Sequence, residues 1–289
     1  MKDIIKGLRT FKSRYFCSNQ ELFEELSHGQ HPKVLFITCS DSRIDPNLLT
    51  QTQPGELFVI RNAGNIVPPY GATNGGEGAS IEYAIHALGI EHLVICGHSH
   101  CGAIKGLLKL SSLEEEMPLV HNWLQHAEAT RRLMKESYGD LEGEDLLDMA
   151  IAENVLTQIE NLKTYPVIRA KLHQGKLKIY AWIYDIDTGE VVSYDAERRA
   201  YVPPHTQLHP SELDPELSAP VACEIPGLAP ASAPANATIT VSASTPVAQA
   251  TPHGASSTPS NGDAQRHYAF SWSSPEQADR IYRGSANKR

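Results

Sequence analysis

Ile4, Ile5, Leu8 and Phe11 recur at the three- and four-residue spacing that gathers apolar side chains on one helix face. A second helix is expected after Ser18, whose capping partner three residues on is Glu21, with Gly29 as its stop. Val34-Leu35-Phe36-Ile37 is a different pattern, a continuous apolar run rich in β-formers, as in a strand buried on both faces of a parallel sheet. Cys39 then falls at the carboxyl end of that strand. Leu57-Phe58-Val59-Ile60 and Leu93-Val94-Ile95-Cys96 read as two more strands, and between them Ile81, Ala84, Ile85 and Leu88 keep helical spacing up to Gly89. Helical patterns run through Leu119–Lys135 and Leu146–Leu162. Leu177–Tyr184 and Val191–Tyr194, around Asp187-Thr188-Gly189, predict a hairpin that closes the sheet edge. Strands and helices alternate without a repeat of fixed period, which predicts an α/β fold with a central, mostly parallel sheet flanked by helices.

Composition changes this picture in the last third. From Tyr201 to Gly262 there is no Lys or Arg, and Pro, Ala, Ser and Thr dominate. Such a segment cannot bury enough apolar surface to offset the entropy of ordering it. One folded domain is therefore expected over residues 1–200, a disordered linker over 201–262 and a distinct segment over 263–289. The net charge of −9 and pI near 5.8, with scattered basic residues, argue against a nucleic-acid partner. Five irregularly spaced cysteines do not make a secreted disulfide framework and fit a reducing cytosol. The N-terminus lacks a continuous apolar signal core, and no segment reaches the roughly 18 apolar residues of a spanning helix. A soluble cytoplasmic protein is expected.

Candidate chemistry gathers in two segments, Cys39-Ser40-Asp41-Ser42-Arg43 and Gly97-His98-Ser99-His100-Cys101-Gly102. Zn²⁺ favours tetrahedral Cys/His sites and takes three protein ligands when its fourth position serves chemistry. In open α/β sheets ligands collect at the carboxyl ends of strands, so Cys39 after one strand and His98 after another can meet in one crevice. Cys101, three residues past His98, sits at the expected start of a helix, where the macrodipole favours a thiolate. The predicted ligand set is Cys39, His98 and Cys101. Asp41 can either ligate the metal or accept a hydrogen bond from its water, and Arg43 can hold that carboxylate in a bidentate pair. Alone, the two cysteines would read as ordinary buried thiols, and Asp41 with Arg43 as a turn cap and a surface ion pair. Cys96 is expected to end a buried strand and His100 to line the crevice or cap a backbone group, while Cys17 and Cys223 read as incidental thiols. Gly64, Gly75, Gly76 and Gly78 lack the spacing of a P-loop or dinucleotide fingerprint, which excludes a nucleotide site.

The CSDSR run at 39–43, PGELFVIRNAGN at 54–65, EGASIEYA at 77–84 and GHSHCG at 97–102 resemble, in the same order, the β-class carbonic anhydrases. The resemblance covers residues 1–200 and implies that family's fold, with N-terminal helices over 1–29 packing on a partner subunit in a homodimer or a multiple of dimers. It implies a zinc lyase for the reversible hydration of CO₂ to bicarbonate. One Zn²⁺ per subunit would be held by Cys39, His98 and Cys101, with Asp41 as a fourth ligand in a closed state. It further implies Asp41–Arg43 as a catalytic dyad, and Gln30, Phe58, Tyr83 and Gly102 as substrate-binding residues. Zn²⁺ lowers the pKa of a bound water to about 7, and the hydroxide attacks CO₂ while Asp41 orients it and Gln30 steadies a substrate oxygen. Two other classes compete, a zinc-holding scaffold without turnover and a thiol redox enzyme. The intact dyad and Gln30 argue against the first, and the lack of a Cys-x-x-Cys pair argues against the second.

Past the linker the aromatic and arginine residues that dominate interface hot spots return, in His267-Tyr268-Ala269-Phe270-Ser271-Trp272 and in the run from Ser274 to Gly284. Ser274 with Gln277 makes a capping box, Pro275 suits the first helical position and Gly284 a C-terminal stop, which predicts a helix-length docking peptide. Together, CSDSRIDPNLLTQ, GELFVIRNAG, ENVLTQIENLKTYP at 153–166 and the terminal SPEQADRIYRG are similar to the carboxysomal β-carbonic anhydrases of cyanobacteria. Membership of that branch would imply a place inside the carboxysome with Rubisco, recruitment by the carboxysome scaffold protein through residues 268–284, and bicarbonate dehydration as the working direction.

Overall fold

The N-terminal stripe forms helix α1 (Lys2–Thr10), which continues as a π-helical segment over Phe11–Phe16. No side chain of either piece is buried, and Ile4 and Leu8 are each 63% exposed. Helix α2 (Gln20–Ser27) follows, but the expected Ser18–Glu21 capping box does not form. Asn19 is the N-cap instead, and its side-chain amide turns back to donate to the Tyr15 carbonyl, tying α2 to the preceding turn. The computed structural model describes residues 1–72, 75–209, 211–219 and 221. Most of the expected linker, Cys223 and the docking peptide at 263–289 lie outside the described residues.

Three predicted strands are present as β1 (Val34–Cys39), β2 (Leu57–Asn62) and β3 (His92–His98). Between β1 and β2 lies α3 (Pro46–Thr50), capped by Asp45 accepting from the Leu48 amide; between β2 and β3 lies α4 (Gly76–Glu82) with a π-helical continuation over Tyr83–Ala87. After β3 come α5 (Gly102–Leu108), α6 (Leu113–Glu116), α7 (Pro118–Leu124), α8 (Glu128–Ser137), α9 (Gly143–Leu162) and α10 (Pro166–His173). The pattern expected as one helix over Leu119–Lys135 is thus two helices joined by a 3-10 turn at Gln125–Ala127. The tighter turn keeps Leu124, Ala127, Thr130 and Met134 in one buried row, which is why the apolar spacing reads as continuous.

The chain ends its sheet with β4 (Lys178–Tyr184), β5 (Val191–Asp195) and β6 (Ala200–Val202). Strand order is β2-β1-β3-β4-β5-β6, parallel through β4 and antiparallel from there. The β4–β5 hairpin is present but does not close the edge. Strand β6 does, and Tyr201, expected to open the linker, is 8% exposed and donates its hydroxyl to the Ala152 carbonyl of α9. The folded unit accordingly runs from Met1 through Gln207. In the unit that begins at Leu208, Asp214 caps a 3-10 turn over Pro215–Ser218. No helix among the described residues is long and apolar enough to cross a membrane.

The central position of β1 and β3 explains their unbroken apolar runs: Leu35, Ile37, Leu93 and Ile95 are fully buried, with helices on the sheet faces. Helix α9 packs against β3 at Gly97, where a Cβ would stand 2.8 Å from a Val155 methyl and 3.2 Å from one of Ile151. That close approach requires glycine one residue before His98. Because β1 and β3 are neighbours, their carboxyl ends bring Cys39 and His98 together.

Candidate metal centre

Cys39 is the last residue of β1, His98 the last of β3, and Cys101 the N-cap of α5. All three are buried, and their ligating atoms lie within 4.8 Å of one another. The His98 ring takes its tautomer from the chain: Nδ1–H donates to the Ser99 carbonyl at 2.9 Å, so Nε2 is left as the acceptor. Among the described residues that buried Nε2 has no hydrogen-bond partner, an arrangement that costs about 1–3 kcal/mol unless something binds there.

The two sulfurs are 3.9 Å apart. The Cys101 thiol, followed by His98 and the Gly64 amide, draws the Cys39 pKa down to about 4 against the opposing effect of burial. The Cys39 thiolate then opposes a second ionisation and pushes Cys101 up. The Ala103 and Ile104 amides at the start of α5 do favour the Cys101 thiolate, but contact with Cys39 outweighs them. A divalent cation between the sulfurs would remove that repulsion, so two thiols, an orphaned imidazole nitrogen and tetrahedral-type donor chemistry fit zinc.

Asp41 and Arg43 form the expected fork. Arg43 Nε donates to Oδ1 at 2.9 Å and Nη2 to Oδ2 at 2.7 Å, with the Arg43 amide on Oδ1 at 2.9 Å. These donors hold the Asp41 carboxyl well below the usual carboxylate range. Asp41 Oδ2 stands 4.0 Å from His98 Nε2, beside the cluster. Arg43 Nη2 also reaches the His100 carbonyl at 3.1 Å, which ties the CSDSR turn to the GHSHCG turn.

Gln30 is exposed in the loop between α2 and β1. Phe58, on β2, and Tyr83, half exposed on the α4 continuation, lie with ring centroids 6.2 Å apart. Gly102, the first residue of α5, faces open space. The structure thus pairs Phe58 with Tyr83 and leaves Gln30 and Gly102 at the surface of the chain. His100 neither caps a backbone group nor points inward: its ring sits between Glu144 and Asp187, at 3.2 and 2.7 Å, and these carboxylates raise its pKa. Cys96 lies within β3 rather than at its end, and burial pushes its thiol up to about 12. Cys17 is exposed.

Sequence reading missed the groups that hold the two turns. Arg61 of β2 donates to the carbonyls of Cys39, Asp41 and Ile44. Ser99 Oγ accepts from the Ile186 amide in the β4–β5 hairpin. The loop after β2 is gripped by Asn62, Trp123, Asn154, Gln158 and Tyr165, and within it the Gly64 amide donates to Cys39 Sγ at 3.4 Å. An arginine in IRNAG and amides on a long helix carry no spacing signal that distinguishes them from surface residues.

A profile of the family described as carbonic anhydrase matches residues 34–191. The carbonic anhydrase of Synechococcus elongatus is 51% identical over 291 residues, spanning 99% of this chain and 100% of that protein. That of Synechocystis sp. is 58% identical over 218 residues, 75% of this chain and 80% of that protein. Among solved structures, the β-carbonic anhydrase CcaA is similar with a TM-score of 0.70 and 61% identity, over 71% of this chain and 99% of that one. A tetrameric β-carbonic anhydrase of Sordaria macrospora matches with a TM-score of 0.60 and 29% identity, over 66% and 95%.

Proposed function

The chain belongs to the carbonic anhydrase family, in its β class, and we propose that its reversible hydration of CO₂ runs on one zinc ion per chain held by Cys39, His98 and Cys101. The observation that carries this reading is His98 Nε2, buried beside two sulfurs and, among the described residues, without a hydrogen-bond partner, a donor set that a cation completes. Zinc held there supplies the Lewis acidity that makes hydroxide available near pH 7. Asp41, ionised and therefore acceptor-only, would accept a hydrogen bond from the nucleophile and so orient it toward CO₂. Arg43 occupies both Asp41 oxygens, which favours this dyad role over Asp41 as a fourth ligand. Gln30, Phe58, Tyr83 and Gly102 are proposed to shape the CO₂ and bicarbonate pocket.

Zinc stoichiometry and CO₂ hydration, each measured with and without chelator, test the reading. Wild type should carry one zinc per chain and lose activity on chelation, and Cys39→Ala should lose both metal and activity. Full zinc retention in Cys39→Ala would overturn it. A thiol couple is the second reading, favoured by the 3.9 Å sulfur separation. It leaves His98 Nε2 unpaired, and it predicts activity that follows reductant rather than chelator.

The exposed apolar stripe of α1 supports a homodimer or a multiple of dimers in which residues 1–29 pack on the partner. We further propose that the enzyme works inside the carboxysome, in the direction of bicarbonate dehydration for Rubisco, and that residues 268–284 bind the scaffold protein. The support is the composition of 263–289 and the alignment with the Synechococcus elongatus relative across 99% of the chain. Deleting residues 263–289 should leave hydration by the purified enzyme intact and abolish scaffold binding. Full-length affinity in the truncated protein would move the docking surface to the folded unit.

A further inference from the structure

The peptide unit joining Ala63 to Gly64 is hydrogen-bonded at both ends. Its N–H, that of Gly64, donates to Cys39 Sγ at 3.4 Å. Its carbonyl, that of Ala63, accepts from the indole Nε1–H of Trp123 at 2.8 Å. A donor on a peptide carbonyl draws electron density across the amide and makes the N–H on its other end a stronger donor. The line from Trp123 through this peptide to the sulfur therefore acts as one polarised unit, not as two separate contacts.

The local backbone adopts this orientation at some expense. Gly64 has φ +83 and Asn65 φ +48, two successive residues in the left-handed region. A side chain at Gly64 would meet the Ala103 Cβ at 3.2 Å, so the amide approaches the α5 start with no room to spare. The next peptide is fixed as well: the Gly64 carbonyl accepts from Asn154 at 3.0 Å, and Asn154 in turn accepts from Gln158 at 2.8 Å. Both amide side chains are fully buried on α9, where unsatisfied polar groups are costly. They bond to each other and to this loop, and Gln158 Oε1 also accepts from Asn161.

We propose that Trp123 is a positioning residue of the metal centre: its indole N–H orients and polarises the Ala63–Gly64 peptide so that the Gly64 amide withdraws charge from the Cys39 sulfur. Asn154 holds the following peptide so that this orientation persists. The inference rests on the zinc reading of Cys39, His98 and Cys101. A thiolate relieved of part of its charge donates less to the metal and leaves it a stronger Lewis acid, as hydrogen bonds from outside the ligand set do elsewhere.

Cobalt(II) substitution of the purified protein reads the sulfur directly, through the thiolate-to-metal charge-transfer band. Trp123→Phe keeps an aromatic ring and removes only the donor. With one cobalt per chain and an unchanged circular dichroism spectrum, its band should move to lower energy, because the sulfur regains the charge that the Gly64 amide withdrew. An unmoved band in the metal-replete variant overturns this inference and leaves the metal reading standing. A wild-type chain that takes up no cobalt or zinc overturns both. A measurement on wild type alone does not depend on the variant folding: with ¹¹³Cd in the site, the Gly64 amide proton should show scalar coupling to the metal across the N–H···S bond, and its absence would overturn the inference.

Discussion

Glu153→Gln should flatten the pH dependence of stability in the neutral range. Glu153 is 1% exposed on α9, and its carboxylate receives a hydroxyl hydrogen bond from Tyr138 at 2.8 Å. Burial pushes its pKa from 4.5 up to about 7, with the Tyr138 bond opposing the shift. Between those two values the folded protein keeps a proton that the unfolded chain has released. Stability therefore falls as pH rises through the interval and levels off above it. A shift of this size is worth about 3 kcal/mol in full, and about 2.5 kcal/mol of it falls between pH 5 and 8. Glutamine keeps an acceptor for Tyr138 and does not titrate. Its amide N–H groups alter absolute stability by an amount that depends on their partners, but they do not alter the slope. Urea unfolding of both proteins at matched chain concentration, at pH 5, 6, 7 and 8, cancels the contributions of histidines common to the two. The variant should gain about 2–3 kcal/mol on wild type across that range. Parallel curves would refute the assignment of Glu153 as a buried acid.

Asp41→Asn should retain zinc and lose about 10²–10³-fold in CO₂ hydration rate, because the amide offers one acceptor and sets its own N–H₂ against Arg43 Nη2; an unchanged rate in the zinc-replete variant would remove the dyad from the mechanism. Since Arg43 holds the Asp41 carboxyl below the usual range, Asp41 is ionised throughout neutral pH, and the wild-type rate profile between pH 5 and 9 should contain no step that Asp41→Asn abolishes. Gly64→Ala should cost about 1–3 kcal/mol in unfolding free energy from its positive φ and the 3.2 Å approach to Ala103; a variant as stable as wild type by denaturant unfolding would contradict that. Leu8→Glu, at a 63% exposed position of α1, should shift the protein toward monomer in light scattering at micromolar concentration, and an unchanged mass would take α1 out of the interface.

The strands and the ligand triad are legible because both depend on short-range signals. An unbroken apolar run such as Leu35–Ile37, short and rich in β-formers, reads as a strand with neighbours on both sides, and a Cys or His at the end of such a strand falls at a sheet's carboxyl end. What stayed hidden depends on partners distant in sequence. Asn154, Gln158 and Asn161 share one face of α9, and a stripe of amides looks like a solvated face until the loop after β2 covers it. Strand β6 spans only Ala200–Val202, too short for a period to be read, and its neighbours Pro203 and Pro204 resemble the composition that follows. Asn19 displaced Ser18 as a cap because the Tyr15 carbonyl, one turn back, offers its amide a partner.

The carbonyl that orients His98 belongs to Ser99, the very next residue of the chain. Where a carboxylate side chain orients a metal-binding imidazole, one point mutation can release the ring. Here every amino acid at position 99 brings the same acceptor, so the hydrogen bond is invisible to a mutational scan and survives sequence drift. Which nitrogen faces the cysteines is inherited with the path of the backbone, and only a change in that path can reverse it.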